Sequence, residues 1–145
     1  MVENPGRDLA EACGRSSMRA LLDTNILVRH LTGEPPAQAR RATALLAGDE
    51  LVLSDLVLAE LVYVLESYYE RPRDEVGNAA RALLALPSVA SDHELLLRAI
   101  EHYEAERLDF ADAYLCAAAE ISGIGMVASL DRRIDRVASV RRLEP

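Results

Sequence analysis

The sequence predicts an α/β protein with helices on both faces of a mostly parallel sheet of four to five strands. Two observations carry this expectation. Short apolar runs alternate with longer stretches of helical spacing almost from end to end, and successive strands separated by helices pair in parallel. The chain's 145 residues, half of them apolar, also suffice for one well-filled core.

Residues 1–17 are polar and contain Pro5 and Gly6, and they precede a second methionine, Met18. They read as a disordered leader or an upstream start, which leaves 18–145 as the folded domain. Arg19 to Leu22 form a buried strand, and Asp23-Thr24-Asn25 turns it into a helix carrying Ile26, Leu27 and Leu31. Gly33, Pro35 and Pro36 break the chain before a helix over 37–47. Glu50 to Ser54 is a second strand. Asp55 to Tyr69 is too long for a strand and reads as a helix capped by Ser54 or Asp55. A further helix spans 74–86, a short strand 88–90, and a helix with Leu96, Ala99, Ile100 and Tyr103 on one face runs to about Arg107. The turn Leu108 to Asp112 opens the small-residue helix 113–121, which Gly123 stops. Ile124 to Ser129 is a buried strand ending at Asp131, Arg132 to Ala138 is a turn or short helix, and 140–143 is a final edge strand.

Composition excludes several chemistries. All sixteen basic residues are Arg, so no lysine is present for a Walker A loop, a Schiff base or a receiver-type phosphorylation site. The net charge of −8 opposes binding nucleic acid by bulk field, although bound divalent cations reverse the sign of an acidic site. Two cysteines, Cys13 and Cys116, are too few for a disulfide framework, and no apolar run is long enough to span a bilayer. A cytoplasmic, membrane-free protein is expected. His30, His93 and His102 lack ligand spacing and read as surface or local hydrogen-bonding residues.

Asp23 and Asp131 both follow strands, so a parallel sheet places them on one edge, where ligands gather in such folds. Asp23 fits a helix cap as well as a catalytic acid. Glu60 lies among Leu58, Ala59, Leu61 and Val62 and belongs either to a site that pairs its charge or to the wet face with Tyr63 and Ser67. Asp112 suits an N-terminal cap as well as a site, and Asp109 competes for both jobs. If these acids meet, a cation is needed. Two carboxylates ~4 Å apart repel by about 4 kcal/mol at an effective dielectric near 20. Oxygen-only ligands select Mg²⁺ or Mn²⁺, whose common use is activating water against a phosphodiester.

The stretches Leu22-Asp23-Thr24-Asn25, Ser54-Asp55-Leu56-Val57-Leu58-Ala59-Glu60-Leu61, Asp109 to Ala118 and Ser129-Leu130-Asp131, in that order and spacing, resemble the PIN-domain family. Within it they resemble the VapC-type ribonuclease toxins of type II toxin-antitoxin pairs. The resemblance implies a PIN-like three-layer α/β/α sandwich and a Mg²⁺- or Mn²⁺-dependent endoribonuclease. It implies Asp23, Glu60, Asp112 and Asp131 as catalytic, metal-binding acids, with Thr24, Asn25 and Ser129 in support and Asp109 beside them. Asp112 takes the third position because the family acid precedes an Ala-x-x-x-Ala helix. The sequence departs from the family after Asp131, where Arg132-Arg133-Ile134 replaces the frequent lead to an aromatic. An RNA substrate, a homodimer and a cognate antitoxin are implied as partners. Arg29, Arg132, Arg133 and Arg136 are candidates to meet RNA phosphates, or are plain solvated arginines. Two other readings are a PIN-fold RNA- or protein-binding module without nuclease activity, and a phosphatase with a nucleophilic Asp23. The latter is disfavoured because Asn25 stands where such enzymes place a second Asp, and the lysine is missing.

Overall fold

The computed structural model describes residues 19–145, so the leader expected over 1–17 lies outside the described residues. Five short strands and six helices alternate as anticipated: β1 (Arg19–Leu21), α1 (Thr24–Thr32), α2 (Pro36–Gly48), β2 (Glu50–Val52), α3 (Asp55–Ser67), α4 (Arg73–Leu84), β3 (Val89–Ala90), α5 (His93–Ala105), α6 (Phe110–Ser122), β4 (Met126–Ala128) and β5 (Arg141–Leu143). A 3₁₀ turn, Arg132–Arg136, precedes β5. Every strand pair is parallel: β1 with β2, β2 with β3, and β4 with β5. The hydrogen bonds divide the strands into a three-stranded and a two-stranded group.

Local chemistry sets the helix ends. Asp23 caps α1, its Oδ1 accepting from the Thr24 N–H at 2.8 Å, and Gly33 closes the helix in the left-handed conformation with φ 73°. Ser54 rather than Asp55 caps α3, its hydroxyl accepting from the Val57 N–H. Asp109 occupies the capping position of α6, so this helix begins a turn earlier than the sequence suggested. Asp112 consequently lies inside the first turn and is not the cap. The early start buries Phe110, whose ring meets that of Tyr103 edge-on with centroids 6.2 Å apart.

The core is built from Leu27, Leu53, Leu58, Leu61, Leu96, Ile100, Tyr103, Leu108 and Ile134, all essentially inaccessible. One expectation fails here: β1 and β4 are not buried strands. All three β1 residues are exposed, Leu21 by 76%, and only Val127 of β4 is covered. The reason is edge position. Among the described residues β1 pairs on one side only, and so does β4, leaving Leu22 rather than the strand itself to enter the core.

Arg73 ties α4 to the junction between α5 and α6. Its guanidinium stacks on the Tyr103 ring at 4.3 Å, and Nη1 donates to the carbonyls of Tyr103 at 2.8 Å and Leu108 at 2.5 Å. The Tyr103 hydroxyl donates to Glu66 of α3, so one side chain links three helices.

His102, read as a surface or a local hydrogen-bonding residue, is buried and hydrogen-bonds Glu120 of α6. Glu120 also accepts from Arg98 at 2.8 Å and from the Ser139 hydroxyl at 3.0 Å. Burial alone would raise the Glu120 pKa, but donors from Arg98, His102 and Ser139 win and pull it down to about 2. A depressed carboxyl stabilises the fold fully above its unfolded value and loses that contribution as pH falls toward the folded one. Acid titration is therefore expected to remove about 2 kcal/mol between roughly pH 4.5 and pH 2 through this residue. Comparing denaturant midpoints of wild type and Glu120→Gln at pH 7 and pH 3 checks it, because the difference between the two proteins must shrink at the lower pH.

Candidate active site

Two of the four predicted acids, Asp112 and Asp131, lie near enough to influence each other's charge. Asp112 lies in the first turn of α6, and Asp131 follows β4 and caps the 3₁₀ turn. Burial raises the Asp112 pKa above its ordinary value, and the neighbouring Asp131 and Asp109 charges raise it further. Asp131 moves the other way, down to about 2. The Arg133 side chain is the main cause, donating to both carboxylate oxygens at 2.8–3.1 Å, and the Arg133 backbone N–H adds a bond at 2.9 Å. Arg133 also stands 3.5 Å from Asp109. Three acids thus crowd one cation, and the least exposed of the group, Asp112, carries the cost.

Ser129 fixes the approach to this pair by accepting the Asp131 N–H at 3.0 Å. Its carbonyl accepts from Arg142 of β5 at 3.1 Å, which anchors the loop to the sheet. Ile134 plugs the underside of the 3₁₀ turn with no exposure.

Asp23 and Glu60 are both exposed. Asp23 lies just past β1, and the adjacent Thr24 Oγ1 is buried with no hydrogen-bond partner among the described residues. Asn25 is exposed. Glu60 sits on the wet face of α3, the same face as the exposed Tyr63. Among the described residues no three His, Cys, Asp or Glu side chains come close enough to hold a metal ion together. The donor chemistry nevertheless suits Mg²⁺ or Mn²⁺: four candidate carboxylates, a stranded hydroxyl beside Asp23, and a carboxyl pair whose mutual repulsion a hard cation relieves.

Two features escaped sequence reasoning. Arg133, read as a candidate for RNA phosphates or as a plain solvated arginine, clasps Asp131 and stands near Asp109; the Asp131-x-Arg133 spacing around a tight turn is the available signal. The Tyr114 hydroxyl donates to Asp55 at 2.6 Å, pushing the tyrosine up to about 12 and tying the helix that bears Asp112 to the one that bears Glu60. The two residues lie 59 positions apart, and no local pattern marks their pairing.

The family model "PIN domain" matches residues 20–140. No curated protein matches. A solved structure, VapBC2 from Rickettsia felis bound to a DNA fragment from its promoter, is similar at 16% identity over 88% of this chain and 98% of that one, with a TM-score of 0.37. The family model spans most of the chain and every candidate acid, and the chain belongs to the PIN-domain family.

Proposed function

We propose that this PIN domain is a Mg²⁺- or Mn²⁺-dependent endoribonuclease and serves as the toxin of a type II toxin-antitoxin pair. The observation that carries the reading is the gathering of acids at the end of β4, where Arg133 grips Asp131 at 2.8 Å and stands 3.5 Å from Asp109, with Asp112 close by. Like charges gathered at a strand end are costly, and a divalent cation is the group whose chemistry fits them. Asp23, Glu60, Asp112 and Asp131 would hold the ion, with Thr24, Asn25, Ser129 and Asp109 in support. A bound divalent ion supplies Lewis acidity toward a phosphate oxygen and toward the attacking water.

The protein's own residues set the conditions for that step. Ser129 and Arg142 hold the turn that presents Asp131, and the Asp55–Tyr114 bond keeps α3 beside α6. The motif resemblance supports an antitoxin partner, a homodimer and a cytoplasmic setting. Among the described residues no helix is long and apolar enough to cross a membrane. The test is incubation of purified protein with a mixed RNA pool in Mn²⁺, followed by end mapping. Cleavage that disappears in EDTA supports the reading, and RNA intact at every protein concentration overturns it in favour of a binding module.

Arg133 offers a separate check. Its guanidinium neutralises Asp131 and Asp109, so it competes with any cation that approaches them. Arg133→Gln is expected to tighten Mn²⁺ binding by roughly 3- to 10-fold in calorimetric titration. Unchanged or weaker binding would show that the arginine does not oppose the ion.

A further inference from the structure

We propose that the cleft between α1 and α2 is a phosphate-binding subsite for the RNA strand, an assignment that rests on the nuclease reading above. The cleft has a volume of about 500 Å³ and is lined by Asn25, Ile26 and Arg29 of α1 and by Gln38, Arg41, Ala42 and Leu45 of α2. Among the described residues it is lined by two guanidinium groups and no carboxylate. That contrast matters in a chain of net charge −8. Three other surface cavities also contain arginines, but each holds acids that pair with them: Arg71 with Glu75, Arg98 with Glu101 and Glu120, and Arg81 with Glu104.

Arg29 and Arg41 have no carboxylate partner among the described residues. The Arg29 Nε donates to Gln38 Oε1 at 2.9 Å, which fixes the plane of the guanidinium while its two terminal amino groups stay without a protein acceptor among those residues. A planar fork held from behind and open at its tip is the geometry that takes two oxygens of a phosphate. The position suits a substrate strand as well. Asn25, on the cleft rim, is two residues from Asp23, and Arg29 lies one turn further along α1, about 6 Å away along the axis. A strand whose reacting phosphodiester sits at the acids would thus pass a neighbouring phosphate over the cleft. The acids repel the RNA backbone, and this pair of arginines offsets that repulsion within one or two nucleotides of the cut.

The experiment measures binding of a fluorescein-labelled single-stranded RNA 12-mer in EDTA by anisotropy across a salt series, and cleavage of the same oligonucleotide in Mn²⁺. Wild type is compared with Arg29→Gln, Arg41→Gln, the double variant and Arg71→Gln, each checked by circular dichroism. The expected result is a weakening of about 3- to 10-fold for each single cleft variant, with the salt slope reduced by about 0.7 per arginine removed. Arg71→Gln should match wild type. Unchanged affinity and slope in the double variant, with cleavage intact, overturns the subsite and leaves the nuclease reading standing. Arginine-dependent binding without cleavage in Mn²⁺ does the reverse. Failure of wild type to bind the RNA overturns the subsite, and so does a polyglutamate peptide whose binding, but not that of RNA, depends on the two arginines.

Discussion

RNA cleavage is expected to fall at least ~100-fold in Asp23→Asn and in Glu60→Gln, with circular dichroism spectra and melting temperatures close to wild type. Both side chains are exposed, so neither substitution opens a cavity or strands a buried partner. Asp23→Asn also keeps an oxygen that can accept the Thr24 N–H, so the α1 cap survives. What each change removes is one negative oxygen ligand. Asp112→Asn should lose activity to the same extent yet melt higher than wild type in EDTA, since it ends the repulsion with Asp131 and Asp109. The sign follows from its raised pKa: an acid harder to ionise in the fold destabilises it as pH rises past that value, and the amide abolishes the dependence. Single-turnover cleavage in Mn²⁺ and melting in EDTA at pH 5 and pH 8 test both halves. Full activity in the Asp23 and Glu60 variants would remove them from the site.

Tyr103→Ala is expected to cost about 3–5 kcal/mol, the largest stability loss of any single change considered for this chain. The ring is buried, supports Phe110, receives the Arg73 guanidinium on its face and offers its hydroxyl to Glu66. Truncation leaves a large cavity and also strands the Glu66 carboxylate and a half-enclosed arginine. Tyr103→Phe separates these contributions, because it keeps the ring and removes only the hydroxyl. Urea midpoints for the two variants should fall in that order, with the phenylalanine protein closer to wild type. A loss under about 1 kcal/mol in the alanine variant would show that α4, α5 and α6 are held together elsewhere.

Periodicity made the helices and their order legible, since their apolar faces are long enough to repeat. It failed at β1 and β4, where three-residue strands give no second period and apolar composition was mistaken for burial; Leu21 and Met126 are apolar and exposed. The nearness of Asp112 to Asp131 was half legible. Topology put acids after two strands, but the nearness depends on α6 starting at Phe110, which turns on whether Asp109 or Asp112 holds the capping position. Glu60 stood open between a paired site and the wet face; its side chain is exposed beside Tyr63, a placement compatible with either. Long-range polar pairs were invisible, because His102 with Glu120 and Tyr114 with Asp55 are created by helix packing and leave no local trace.

The grip of Arg73 on the α5–α6 junction has a consequence for how this protein can change. It addresses main-chain carbonyls at Tyr103 and Leu108, groups that every amino acid supplies. Substitutions at the intervening positions Glu106, half-buried, and Arg107, exposed, therefore leave the tether intact. Side chains on that stretch can change while the backbone that leads into α6, and so Asp112, stays in register.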